Sequence, residues 1–188
     1  MSILSQILIS IAGRAAARRF EAATRDPEGT QHRKLMAIVE KNQNTEYGKE
    51  HGFSKVKSLK DWQKVVPVVS YEDLRERIER MTCGEKNVLT TEAAVMFAKT
   101  SGTTGEAKYI PVTATCQGRD HADQLRAWLH YAHAAHPGMF SGKVMSLVSP
   151  AVEGHTPCGI PYGSTSGVMY RDMPRAVRST YAVPYPVF

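Results

Sequence analysis

Long apolar runs are missing from this chain, and so are the cysteine patterns that staple or metallate small domains. No stretch approaches the ~18 residues a membrane-spanning helix needs. Cys83, Cys116 and Cys158 are widely spaced and odd in number. They make neither a disulfide framework nor a CxxC zinc pattern, which points to a reducing cytoplasm. Internal repeats and low-complexity tracts are also missing. Stacking aromatics are scarce where the positive charge lies: the first 60 residues carry 11 Lys and Arg against six acidic residues but only Phe20, Tyr47 and Phe53 as aromatics. That spread predicts a solvated helical face and no nucleic-acid partner. What remains is 188 residues, net charge +6, 42% hydrophobic and 22% charged, the composition of a globular domain.

The chain reads as capped helices followed by strands. Ile3, Leu4, Ile7, Leu8, Ile11 and Ala15 share one helical stripe, predicting an amphipathic helix with that stripe inward. Its arginines follow the apolar stretch, the reverse of a signal peptide. Asp26-Pro27-Glu28 combines an N-cap, a proline at the first helical position and an acidic first turn. It predicts a helix to about Asn42 with Leu35, Met36, Ile38 and Val39 buried. Asn44 to Gly52 reads as a turn-rich connection. Ser58 with Asp61 and Ser70 with Asp73 open two short helices, stopped by Pro67 and Gly84; Leu74, Ile78 and Met81 face inward on the second. Ala94–Ala98 and Tyr109–Val112 read as strands. Thr113 reads as the cap of a long helix to about Ala135, with Leu125, Trp128, Leu129 and Ala132 on its core side. Lys143–Ser149 reads as another strand, and loops and short strands follow Pro150. Residues 1–92 thus form a mainly helical region and residues 93–188 a strand-containing one.

Between the first two strands lies Thr100-Ser101-Gly102-Thr103-Thr104-Gly105-Glu106-Ala107-Lys108. Two glycines let successive amides turn inward into an anion-binding concavity. Hydroxyls can donate to phosphate oxygens, and Lys108 brings a mobile cation. The spacing differs from a Walker A loop, where Lys directly follows the last Gly and opens a helix; here Lys108 runs into Tyr109-Ile110-Pro111. The kinase GxGxxG is absent as well. A second Gly/Ser/Thr tract, Tyr162–Gly167, reads as a lining of a substrate cavity, an approach to nucleotide, or a plain turn. His133 and His136 read as helix surface, with no Cys or carboxylate to complete a metal set.

The run Phe97 to Thr113 (FAKTSGTTGEAKYIPVT) resembles the phosphate-binding signature of the acyl-adenylate-forming, firefly-luciferase-like superfamily. The stretches NTEYGKEHGF (Asn44–Phe53), VPVVSYEDLRERIERM (Val66–Met81), GEKNVLTTE (Gly84–Glu92) and SPAVEGHTPCGIPYGSTSGVMY (Ser149–Tyr170) are similar to bacterial relatives of the plant auxin-responsive acyl acid amido synthetases. The resemblance implies an α/β fold: N-terminal helices followed by part of the mixed-sheet large domain of an adenylate-forming enzyme. It also implies a ligase that uses ATP and Mg²⁺ to activate a carboxylic acid as acyl-adenylate and passes the acyl group to an amine or amino acid. Carried over, Ser101, Gly102, Thr103, Thr104, Gly105 and Lys108 are the ATP phosphate-binding set. No catalytic residue and no metal ligand is assigned.

Enzymes of that family are several times longer, and the chain stops at the apolar Tyr185-Pro186-Val187-Phe188. It is therefore expected to be an N-terminal fragment, inactive by itself. An acyl-CoA ligase of the same superfamily and a non-catalytic phosphate- or nucleotide-binding module stay open as alternatives.

Overall fold

The computed structural model describes residues 3–100 and 107–185. Five helices come first: α1 (Ile3–Arg25), α2 (Pro27–Asn42), α3 (Glu46–Glu50), α4 (Leu59–Val65) and α5 (Tyr71–Thr82). Strands β1 (Ala94–Lys99) and β2 (Tyr109–Thr113) precede α6 (His121–Ala135). Then come β3 (Gly154–His155), β4 (Pro161–Gly163), α7 (Thr165–Arg171) and α8 (Arg175–Arg178). No helix among the described residues is long and apolar enough to cross a membrane. The chain divides into two compact units. A helical unit comprises Met1–Ala23, Thr115–Glu153 and Gly163–Phe188; an α/β unit comprises Thr24–Ala114 and Gly154–Tyr162.

In the α/β unit the predicted caps set the helix starts. The Asp26 carboxylate accepts the Gly29 amide at 2.9 Å and opens α2. Ser58 accepts the Asp61 amide at 3.1 Å and opens α4. Ser70 and Asp73 form a reciprocal capping box at the start of α5, satisfying amides that have no partner inside the helix. Gly84, at φ 85°, ends the segment in the left-handed region that favours glycine.

Asn44–Gly52 holds more than a turn. Thr45, fully buried, accepts the Gly48 amide at 2.9 Å, and the Glu46 and Tyr47 amides donate to the carbonyls of Asn87 and Val88. With its first amides satisfied that way, the short α3 forms. Ile78, Met81, Val88 and Phe97 make one buried cluster, and Val39, Phe53 and Val56 another. Ile38, expected inside, is exposed; Val39 takes the buried position on α2.

The strands form a four-stranded mixed sheet in the order β2-β1-β4-β3. β1 and β2 are antiparallel, with Phe97 opposite Pro111 and Lys99 opposite Tyr109. Phe97 is wholly buried on the face it shares with Lys99 and Tyr109, and Met96 and its partner Val112 are buried on the other.

Over the part of α1 whose side chains are described, Gly13, Ala16 and Ala17 are buried and Ile11 is 62% exposed; Ile3, Leu4, Ile7 and Leu8 of the predicted stripe lie outside it. A side chain at Gly13 would lie 2.9 Å from the Cβ of His130 on α6. Small residues let two helix backbones approach where larger ones would hold them apart. The long predicted helix is present with one irregularity, a π-helical turn at Cys116–Asp120. Its buried residue is Ala127, whereas Trp128 is 61% exposed. Lys143–Ser149 is not a strand: a single bridge joins Val144 to Tyr181, and Met145 and Leu147 are exposed. Among the described residues no strand runs along its length, so the apolar run has no ladder to join. Tyr162–Gly167 is a strand-to-helix junction. Ser164 caps α7, and Gly163 and Gly167 lie against the Ser149–Ala151 backbone, with 2.5 and 2.3 Å from a would-be Cβ to the nearest carbonyl oxygen.

Candidate functional site

Where β1 ends, the chain is clasped before it leaves the sheet. The Thr100 amide donates to the Lys108 carbonyl at 3.1 Å, and the Lys108 amide donates to the Thr100 hydroxyl at 3.0 Å. Together with the Lys99–Tyr109 pair, these bonds fix the two ends of the Gly/Ser/Thr segment side by side. Of the predicted phosphate-binding set, Ser101, Gly102, Thr103, Thr104 and Gly105 lie outside the described residues. Lys108 is described, and it stands at this neck.

Lys108 is exposed, with its ammonium 5.3 Å from the centre of the Tyr71 ring. The same ring carries the Arg75 guanidinium, also at 5.3 Å. Cations are drawn to the negative face of an aromatic ring, so Tyr71 acts as a platform for both. Its position follows from local structure: it is the first residue of α5, set by the Ser70–Asp73 capping box. Its hydroxyl accepts the Tyr109 amide at 3.0 Å, which ties the helix start to the first residue of β2.

Two further tyrosines continue the row. The Tyr109 and Tyr162 rings meet edge to face at 5.2 Å, and Lys99 holds its ammonium 5.1 Å from the centre of Tyr162. Gly154, on the neighbouring strand, makes room: a Cβ there would fall 2.5 Å from the Tyr162 hydroxyl. The neck therefore combines Tyr71, Tyr109 and Tyr162 with Lys99, Lys108 and Arg75.

The titratable groups respond to this setting. The Glu72 carboxyl is held below its ordinary range, first by hydrogen bonds from Arg75 at 2.6 and 2.9 Å and further by the Lys108 charge. Burial pushes the Tyr109 phenol up; Tyr162 adds to that and the Lys99 charge opposes it. The Tyr109 hydroxyl thus stays protonated at neutral pH. Such an arrangement can hold an anion of several charges and orient it by hydrogen bonds.

Among the described residues no cluster of three His, Cys, Asp or Glu side chains is placed to hold a metal ion. The sequence pointed to Lys108 and to the tract that begins at Tyr162, but not to Lys99 or Tyr71. Lys99 is an exposed residue at the end of β1, two positions after the buried Phe97 and just before the Gly/Ser/Thr segment. Tyr71 and Tyr162 come from distant parts of the chain, and no spacing links them.

The helical unit carries an apolar groove of about 460 Å³ lined by Phe20, Leu125, Trp128, Tyr131 and Met169 among others.

A mixed α/β domain with a clasped, cationic strand–loop–strand neck is the class that these features define. The same fold occurs in an acyl acid amido synthetase, AtGH3.15, solved in complex with 2,4-DB. The superposition has a TM-score of 0.73 at 22% identity and covers 90% of this chain and 29% of that one. A second solved GH3.15 acyl acid amido synthetase gives a TM-score of 0.67 over 81% of this chain and 26% of that one. Residues 16–188 match the GH3 family N-terminal domain, and the chain belongs to the GH3 family. Among its relatives, a probable indole-3-acetic acid-amido synthetase GH3.2 of Oryza sativa subsp. japonica is 33% identical over 144 residues, 75% of this chain and 23% of that protein. The indole-3-acetic acid-amido synthetase GH3.2 of Arabidopsis thaliana is 32% identical over 149 residues, 78% of this chain and 27% of that protein. The chain thus spans about a quarter of the length of these relatives.

Proposed function

We propose that the chain supplies the phosphate-gripping part of an ATP-dependent acyl acid amido synthetase acting in the cytoplasm. In this reading a carboxylate oxygen of the acid attacks the α-phosphorus of ATP, the bond to the β-phosphate oxygen breaks, and acyl-adenylate and pyrophosphate form. An amine, typically an amino acid, then attacks the acyl carbon; AMP leaves, an amide remains and the amine gives up a proton. Ser101, Gly102, Thr103, Thr104 and Gly105 would hold the phosphates through amides and hydroxyls, and Lys108 would offset their charge. The approach of one anion to another needs that neutralisation and an in-line geometry. Mg²⁺ enters as the counter-ion of the nucleotide, and no described residue is assigned to it.

The observation that carries this reading is the neck: in a GH3-family chain, Lys108 is anchored by its backbone to Thr100 and its side chain rests on Tyr71, at the mouth of the Gly/Ser/Thr segment. Membership of the family supports amide formation as the outcome, and the cysteines, none of them in a disulfide, fit a reducing compartment. We further infer that these 188 residues bind the nucleotide without completing the reaction, since relatives named as amido synthetases are about three times as long. Titration calorimetry and acid-dependent ATP–pyrophosphate exchange test both parts. Saturable ATP binding weakened about tenfold or more by Lys108→Ala is expected, as for a lost charge-assisted hydrogen bond, together with no exchange. A chain that binds no ATP overturns the nucleotide reading; exchange by the chain alone overturns its incompetence.

A further inference from the structure

Cys83 and Cys158 stand 75 residues apart in sequence and meet in the α/β unit. Cys83 is the residue that ends α5. Its amide donates to the carbonyls of Glu79 and Arg80, each at 3.1 Å, and the Gly84 amide donates to that of Met81 at 3.0 Å. Cys158 lies in the tight turn between β3 and β4. There the Thr156 amide donates to the Ile160 carbonyl at 2.8 Å and the Gly159 amide to the Thr156 carbonyl at 2.9 Å, with Gly159 at φ 80°. Both cysteines are thus carried on hydrogen-bonded backbone. Both are exposed, and neither is in a disulfide.

The two segments touch through these residues. The Cys158 thiol donates to the Cys83 carbonyl at 2.8 Å, and the Cys158 Cβ lies 3.8 Å from where a Cβ on Gly84 would stand. Standard bond lengths then put the Cys158 sulfur within about 5.5 Å of the Cys83 Cα. A disulfide joins residues whose Cα atoms are about 4.4–6.8 Å apart. Ile78 and Met81 of α5 share one core with Ile160 and Tyr162, so the helix and the hairpin are already held together. As a cap on one of the last carbonyls of α5, a serine at 158 would serve as well. A capping role leaves unexplained why the residue that carries this carbonyl is itself a cysteine.

We propose that Cys83 and Cys158 are a redox-sensitive thiol pair, closed to a disulfide by exchange with a low-molecular-weight disulfide. The thiolate of one attacks the small disulfide, giving a mixed disulfide and releasing one small thiol. The thiolate of the other attacks the protein sulfur of that mixed disulfide, the bond to the small thiol's sulfur breaks, and a second small thiol leaves. The two protein sulfurs are oxidised, the small disulfide is reduced, and the two protein thiol protons end on the released thiols. Excess small thiol reverses both steps. In a reducing compartment the pair stays open until small disulfide accumulates. Closed, it ties the end of α5 to the β3–β4 turn and stiffens the α/β unit, whatever that unit binds.

The test is treatment of the full chain with oxidised glutathione at about pH 8, where free thiols exchange readily. Intact mass, peptide mapping without reduction and thermal melts follow the outcome. The wild type is expected to lose two hydrogens and to yield a peptide pair joining Cys83 to Cys158. Its melting temperature should rise by about 5 °C or more, as for a crosslink that closes a long loop. Excess dithiothreitol reverses all three changes, and Cys116→Ser forms the same crosslink. Cys158→Ser keeps a hydroxyl for the Cys83 carbonyl and melts within about 3 °C of the reduced wild type. With no partner to resolve it, that variant retains one glutathione on Cys83. If the wild type carries glutathione on either cysteine without a crosslink, or couples only between two chains, the sulfurs do not meet and the proposal is overturned. Thiols that stay unreacted overturn it too. A crosslink that lowers the melting temperature shows that closure strains the native backbone, and also overturns it.

Discussion

The two units of this chain reach order by different means. The α/β unit is fixed by side chains that bond to nearby backbone or to one another: Asp26, Ser58 and the Ser70–Asp73 pair at helix starts, and Glu46 shared between Arg77 and Arg80 on α5. The helical unit is fixed by the absence of side chains. Gly13 admits α6, and Gly163 and Gly167 admit the Ser149–Ala151 backbone. A directional hydrogen bond tolerates small shifts, since a neighbour or a water can replace it. A backbone lying where a Cβ would sit tolerates none. Gly48 plays that part in the α/β unit as well, where a Cβ would lie 2.1 Å from the Asn42 carbonyl oxygen; the first unit should nevertheless be the one that also yields gradually to chemical conditions.

The largest effect expected from this contrast is on Gly167. Its Cβ in Gly167→Ala would lie 2.3 Å from the Ser149 carbonyl oxygen and 2.6 Å from the Ala151 nitrogen, both backbone atoms. Overpacking of this kind should cost about 3 kcal/mol, read as a lower midpoint in urea unfolding. A loss below about 0.5 kcal/mol would show that the Ser149–Ala151 segment yields easily and that the contrast is false.

Acid should act the other way round. Hydrogen bonds hold the carboxyls of Glu46, Asp61, Glu72, Asp73 and Glu85 in the α/β unit below their ordinary range, from Arg80, Ser58, Arg75, Ser70 and Arg80 respectively. In the helical unit Asp172 is held down by Arg171. A carboxyl whose value falls on folding contributes stability that is fully present above its unfolded value and is lost as pH drops through the folded one. As pH falls below about 4, peptides from α4 and α5 should lose amide protection before those from α6 and α7, in hydrogen exchange followed by mass spectrometry and corrected for intrinsic rates. Simultaneous loss in both units would remove the distinction.

The smallest effect should fall on the residue that hydrophobicity marks most strongly. Trp128 is 61% exposed at the rim of the apolar groove, so Trp128→Gln should change stability by less than about 0.5 kcal/mol. A buried tryptophan would cost roughly 3–5 kcal/mol on truncation. A melting curve separates the two, and a large loss would put α6 the other way round.

The same contrast explains which parts of the molecule the sequence disclosed. Caps are local and chemical, so the starts of α2, α4 and α5 were readable, as were the strands at Ala94 and Tyr109, where apolar runs are bounded by turns. The inward faces of α1 and α6 were not. Glycine and alanine carry little hydrophobic signal, yet among the described side chains there Gly13, Ala16, Ala17 and Ala127 are the buried ones, and Ile11 and Trp128 are exposed. The segment Lys143–Ser149 had the composition of a strand without a partner to make it one. At the candidate site, Lys108 announced itself through its loop. Its platform Tyr71 and the Lys99–Tyr162 pair depend on α5 and β4 meeting the β1–β2 neck, a tertiary fact that no local pattern carries.

The clasp between Thr100 and Lys108 has a consequence for how this family can vary. The strand register is closed at Lys99 and Tyr109 and sealed again one residue further out, before the Gly/Ser/Thr segment begins. Residues can be added or removed there without slipping β1 against β2, a slip that would turn Phe97 out of the core. Doubling the length of such a segment adds only about 0.6 kcal/mol of closure entropy. The neck works as a socket: natural or engineered chains can exchange what is plugged into it while the domain that carries it folds unchanged.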